Sequence, residues 1–201
     1  MTYLSNVEVF EKAIKFAVDK HSHQERKRLQ SPYIIHPMEV ASIAGTMCSD
    51  PDLLAACMLH DTVEDTDTTI EEIRENFGSR VALLVMTETE DKRPDRPPVE
   101  TWRLRKEETL LILSNTKDLK VKMMWLGDKL SNMRSFARDY RQKGNDLWKS
   151  YNQKDPKEQY WYYRSIADNL VELKEYDAYK EYVELMNYVF QDFIKGENDE
   201  Q

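Results

Sequence analysis

Apolar residues recur every three or four positions along most of this chain, and almost nowhere do they alternate. Val7, Phe10, Ile14 and Ala17, followed by His21, mark one face of a first helix, and Ser5, Asn6, Val7 and Glu8 read as its capping box. Residues 22–33 are polar and basic, with Pro32 closing a loop. Pro37 then opens a second helix at its first position, burying Val40, Ala41, Ile43, Ala44 and Met47. Asp50 and Pro51 form a cap and a first-turn proline for a third helix, late in which stand His60 and Asp61. Thr69 with Glu72 starts a short helix that Phe77 and Gly78 end, and residues 79–86 add a further turn or two.

The stretch Thr87–Val99 carries three prolines and seven charged side chains, which predicts a mobile loop, not a domain boundary. Helices follow at about 101–115 and 118–139. A break around 141–157 precedes two more, at about 158–173 and 177–195, and the polar tail from Gly196 is expected to fray. Eight or nine helices without a convincing strand predict an all-α fold. It is a single compact bundle over residues 1–195, with 196–201 as tail.

Composition sharpens this picture. At 201 residues one domain is the natural expectation, and a scarcity of glycine (5) favours helix nearly everywhere. The net charge of −8 disfavours nucleic acid as a partner, although a local cationic patch or a metal can still receive a phosphorylated small molecule. Cys48 and Cys57 lie in apolar helical stretches and read as buried free thiols of a reducing compartment. No leader and no long apolar span interrupts the pattern, so the expected setting is cytoplasmic, away from membranes.

The chemistry lies in a few rare residues. Of four histidines, His36 stands in YIIHP and His60 in MLHDTVED beside Asp61, while Asp128 follows far downstream in LGDKLSNMR. Imidazoles and carboxylates in this mixture suit a five- or six-coordinate divalent metal. Asp61 ends a run that must be buried, and a carboxylate entering a core costs several kcal/mol, roughly, unless a cation compensates it. A salt bridge to Lys129 or Arg134 is the plainer reading of Asp128, but adjacent residues diverge on a helix. Glu64 and Asp65 follow the doublet at i+4, one turn further along the same face; the plainer reading there is a solvated acidic surface.

PYIIHPMEVA, the block DLLAACMLHDTVEDTDTTIEEIRENFGSRVALLV and GDKLSNMR together resemble the metal-dependent phosphohydrolases of the HD superfamily. Within it they are similar to the hydrolase domain of the bifunctional RelA/SpoT alarmone enzymes and to the small stand-alone alarmone hydrolases, over roughly residues 5–170. The resemblance implies His36, His60, Asp61 and Asp128 as metal ligands, with Glu64 and Asp65 orienting and deprotonating the attacking water. Arg26, Lys27 and Arg28 read as a phosphate clamp, since guanidinium groups contact phosphate oxygens in pairs. The family pattern there is similar to HxGQxRK, but His23 replaces the glycine and RLQS replaces a small glycine-containing turn. Tyr33 is a candidate to stack on a base, with core packing as the alternative, and Asn132 one turn beyond Asp128 is a candidate to read a base edge or ribose. Ser131 stands where relatives usually have histidine. Tyr162 and Tyr163 read as aromatic core.

The donor set, without a thiolate, favours one Mn²⁺ per chain over Zn²⁺. By resemblance the substrate is a guanosine tetra- or pentaphosphate alarmone, which would lose its 3′-pyrophosphate as diphosphate to leave GDP or GTP. A dedicated hydrolase without a synthetase part is expected. Two alternatives stay open: an HD phosphohydrolase acting on another nucleotide or on NADPH, and a non-catalytic alarmone sensor.

Overall fold

The computed structural model describes residues 6–26 and 30–194 of the protein. Among these, ten α-helices carry nearly all of the regular structure: α1 (Asn6–Lys20), α2 (Ile35–Gly45), α3 (Pro51–Leu59), α4 (Thr62–Asp65), α5 (Ile70–Phe77), α6 (Ser79–Glu88), α7 (Pro98–Asn115), α8 (Leu119–Lys143), α9 (Pro156–Asn169) and α10 (Asp177–Val189). The fold is all-α, as the periodicity predicts. One short antiparallel ladder, β1 (Glu25–Arg26) with β2 (Ser31–Pro32), stands where the sequence suggested only a loop. The capping-box residue Ser5 and the polar tail from Gly196 lie outside the described residues.

Two compact units share the chain. The first comprises Met1–Glu90 and Thr116–Asp128, the second Asp91–Asn115 and Lys129–Gln201. In the first, α3 is the central helix. Leu53, Ala55, Ala56, Cys57, Met58 and Leu59 are all buried, so it is apolar nearly all round, as a helix enclosed by others must be. It packs against α1, α2 and α6, and the buried faces of those neighbours are rich in small residues: Ala13 and Ala17 on α1, Ala41 and Ala44 on α2. Asp50 caps α3 by accepting from the Leu53 amide at 3.0 Å, a bond typical of caps that contribute about 1 kcal/mol. Its other oxygen meets Lys120 Nζ at 2.5 Å, and Arg80 meets Asp118 at 2.5 Å, so two ion pairs fix the start of α8 to the starts of α3 and α6.

The second unit has an aromatic core. Trp148 stacks on Phe190 with ring centroids 5.1 Å apart, and Phe136 meets both Trp148 and Tyr163 edge-on. Tyr162 and Tyr163 are buried, in keeping with their sequence reading. The break after α8 holds a 3-10 helix, Gly144–Ser150, which turns Leu147 and Trp148 into this core. The predicted mobile loop is shorter than its composition suggested, because α6 extends to Glu88 and α7 begins at Pro98; it contains the crossing from the first unit to the second. Arg93 holds this loop to α7 through a paired contact with Glu108, at 2.6 and 2.8 Å. Cys48 and Cys57 are both free thiols.

Candidate metal centre and active site

Three local devices bring the rare residues together, all within the first unit. The first is the start of α2. The helix begins at Ile35, two residues earlier than Pro37 suggested, so His36 and Pro37 both occupy its first turn. A proline is tolerated there because first-turn amides have no partner within the helix. His36 is thereby buried and held at its amide by the Tyr33 carbonyl at 2.9 Å.

The second device is a break. His60 and Asp61 do not continue α3, as their spacing suggested; His60 caps it, and Asp61 precedes the single turn of α4. Asp61 adopts φ −91° and ψ −7°, in the sparsely populated bridge region where many active-site residues sit. Breaking the helix frees carbonyls, and side chains of the same segment satisfy them. His60 Nδ1 donates to the Cys57 carbonyl at 2.8 Å, and Thr62 Oγ1 to that of Leu59 at 2.6 Å. The first bond leaves His60 Nε2 facing the carboxylates. The i+4 relation between Asp61 and Asp65 survives, since the Asp65 amide bonds to the Asp61 carbonyl at 2.9 Å.

The third device is Gly127. A glycine inside a helix costs about 1 kcal/mol relative to alanine, so its presence needs a reason. A Cβ at this position would lie 3.0 Å from the Val40 carbonyl oxygen and 3.2 Å from Val40 Cγ1. The glycine thus lets α8 approach α2 one turn beyond His36, and the next residue is Asp128. In the sequence this approach is signalled only by the position of Gly127 inside a helix.

The result is one cluster. His36 Nε2 lies 3.0 Å from Asp128 Oδ1 and 3.6 Å from Asp61 Oδ2, while His60 Nε2 lies 3.1 Å from Asp61 Oδ2 and 3.8 Å from Asp128 Oδ1. His36, His60 and Asp128 can each offer one donor atom, all within 4.8 Å of one another. Neighbouring donors around one ion with bonds of about 2.1 Å stand about 3.0 Å apart, so these spacings fit a shared divalent cation. His60 Nε2 supports that fit: it is buried, and no hydrogen bond of good geometry satisfies it among the described residues.

Electrostatics point the same way. Burial lowers the His36 pKa more than the Asp128 and Asp61 carboxylates raise it, so this imidazole is held neutral, as a ligand must be. For His60 burial acts in the same direction, but Asp61, Glu88 and Asp128 outweigh it and raise the pKa to about 10. A field that holds a proton on His60 will equally hold a metal cation in its place. The Asp61 carboxyl is driven well below its usual range; burial opposes this, but the facing His60 prevails.

The remaining sequence candidates divide. Tyr33 directs its hydroxyl, rather than its ring, at the site: Oη lies 2.5 Å from Asp61 Oδ2 and 3.1 Å from Asp65 Oδ2. Burial and then the Asp61 and Asp65 charges push its pKa up, so it remains a proton donor. Its ring packs against His21 at 4.9 Å. Glu64 Oε2 accepts from the Glu90 amide at 3.3 Å. Arg26 is half-buried in β1, whereas Lys27 and Arg28 lie outside the described residues. Asn132 follows one turn after Asp128 on α8 and belongs to the second unit. Gln24 joins the site from outside the residues singled out in the sequence. Its amide donates to the Asp65 carbonyl at 2.9 Å, and its presence in the matched HxGQxRK pattern was the signal.

Among the described residues no helix is long and apolar enough to cross a membrane. Comparison with known proteins gives the cluster its context. The chain is 40% identical over 133 residues to a guanosine-3′,5′-bis(diphosphate) 3′-pyrophosphohydrolase of Aquifex aeolicus, covering 66% of this chain but only 18% of that protein. It thus spans less than a fifth of that relative. A protein of the same enzyme name from Xenopus tropicalis is 41% identical over 129 residues, which is 63% of this chain and 68% of the relative. The solved structure of a metazoan ortholog of SpoT, described as hydrolysing ppGpp, superimposes with a TM-score of 0.68 at 26% identity, over 96% of this chain and 98% of that one. Residues 13–153 match the HD domain family, and the chain belongs to that family.

Proposed function

We propose that this protein is a metal-dependent phosphohydrolase that removes the 3′-pyrophosphate of guanosine tetra- and pentaphosphate, releasing diphosphate and leaving GDP or GTP. The observation that carries the reading is the buried cluster of His36, His60 and Asp128 with the half-buried Asp61 beside it, and with Asp65 tied to Asp61 through the Tyr33 hydroxyl. The names of the Aquifex and Xenopus relatives support the substrate class.

His36, His60, Asp61 and Asp128 would hold one divalent ion, and a nitrogen and oxygen donor set without thiolate favours Mn²⁺. Such an ion supplies Lewis acidity toward water and phosphoryl oxygen. Everything else falls to side chains. Asp65 and Glu64 between them accept the one proton of the attacking water and hold the nucleophile in line, and Tyr33 keeps Asp61 and Asp65 in fixed relation by sharing its hydroxyl proton between them. Arg26, Lys27 and Arg28 neutralise charge on the phosphates, and Asn132 reads the base or ribose.

The experiment is a product analysis. Purified protein supplied with Mn²⁺ is incubated separately with guanosine 3′,5′-bis(diphosphate), NADPH and deoxynucleoside triphosphates. The proposal expects diphosphate and GDP from the first, and no turnover after chelation. An intact alarmone beside NADPH that has lost its 2′-phosphate overturns it.

A further inference from the structure

Gln24, the residue before β1, reaches across to the end of α4. Its Nε2 donates to the Asp65 carbonyl at 2.9 Å, and its Oε1 lies 2.9 Å from His21 Nδ1. These two contacts fix each other. A carbonyl only accepts, so the amide must turn its NH₂ toward Asp65, which leaves Oε1 for His21 and places that imidazole's proton on Nδ1. His21 is 3% exposed, and its Nε2 has no hydrogen-bond partner among the described residues. An imidazole buried with one nitrogen unsatisfied is costly, which argues for a purpose at its other nitrogen. The Gln24 carbonyl accepts from the Tyr33 amide at 2.9 Å, and the Tyr33 ring lies on His21. Asp65 is therefore held twice by one hairpin, at its carbonyl by Gln24 and at its carboxylate by Tyr33. Arg26 stands two residues beyond Gln24 on β1.

We propose that Gln24, oriented by His21, is a positioning residue: it fixes the water-activating Asp65 at a constant distance from the hairpin that carries the phosphate-binding Arg26. The inference rests on the role given to Asp65 above. Without the Gln24 bond, the Asp65 carbonyl loses its tie to β1, and the carboxylate loses its register with the phosphate grip.

Two near-isosteric variants test this. Gln24→Glu keeps the acceptor for His21 and replaces the donor to Asp65; Gln24→Met keeps the shape and removes both bonds without adding charge. In each, amide exchange across residues 61–66 should accelerate about five- to tenfold, the equivalent of one hydrogen bond. The kcat should fall about tenfold or more, with metal content and Tm near wild type. Wild-type kcat or wild-type exchange in both variants overturns the proposal. So does a fall in kcat matched by equal losses of metal and Tm, which is the mark of a merely structural role. If the wild-type protein leaves the alarmone intact, the functional reading fails instead, and the exchange result alone decides whether Gln24 holds Asp65.

Discussion

His36 Nε2 stands 3.0 Å from Asp128 Oδ1, although one residue begins α2 and the other lies within α8. Gly127 permits that contact, because any Cβ there would press on the Val40 backbone 3.0 Å away. The substitution Gly127→Ala therefore sets two effects against each other. Alanine improves helix propensity by about 1 kcal/mol, while forcing a methyl group into a packed contact typically costs about 1–3 kcal/mol. Net stability should fall by no more than about 2 kcal/mol, but α8 must shift away from α2 and widen the ligand set. A loss of metal affinity of at least about tenfold by titration calorimetry is the expected outcome; unchanged affinity would mean that close approach at Gly127 has no bearing on the cluster.

His23 holds φ at +64°, in the left-handed region that favours glycine. A side chain there costs about 1–2 kcal/mol, and glycine gives back about 0.5–1 kcal/mol through its freer unfolded chain. His23→Gly should thus stabilise the protein by roughly 0.5–1 kcal/mol. For a chain of this size that is a rise in Tm of about 1–4 °C, readable by calorimetry. A lower Tm would show that the His23 side chain stabilises the hairpin by more than its backbone costs.

Asp118 and Asp50 make stability depend on acid. Burial pushes both carboxyls up, but Arg80 at Asp118, and Lys120 with the Leu53 amide at Asp50, more than offset it, so both lie below their usual range. A carboxyl depressed in the folded state contributes stability that is complete above the unfolded pKa of about 4 and lost as pH falls through the folded value. Both pairs are partly exposed, so each is limited to about 1 kcal/mol or less. Asp118→Asn should lower Tm by at most about 4 °C at neutral pH, with the difference shrinking toward zero in strong acid. A difference that stays constant down to low pH would contradict the assignment.

Much of this architecture is legible in the sequence because it is local. The Asp50 cap, the Thr69 and Gly78 boundaries of α5 and the buried run of α3 follow from side chains acting within a turn or two. The clustered residues are legible because His36, His60, Asp61 and Asp128 fall within distinctive strings, and the structure brings them within 4 Å of one another in pairs. What escapes the sequence depends on partners distant along the chain. The break at His60 and Asp61 keeps helical spacing, so periodicity alone passes over it. Tyr33 carries an aromatic ring that suggests stacking, but only the packing of β2 and α2 beside α4 shows that its hydroxyl reaches two carboxylates. Gln24 acts on a backbone carbonyl, which leaves no residue-type signature at its partner.

In the proposed mechanism the residues that hold the ion and the carboxylates that activate water, Asp65 among them, form separate sets around one centre. The most direct test measures metal content and kcat together in wild type, Asp128→Ala and Asp65→Asn, each purified from Mn²⁺-containing buffer. Removing a general base typically costs about 10²–10⁴-fold in rate. Asp128→Ala should lose both metal and turnover, whereas Asp65→Asn should retain about one ion per chain while kcat falls by that factor. Stoichiometric metal in Asp128→Ala, or wild-type kcat in Asp65→Asn, would contradict the separation of the two sets.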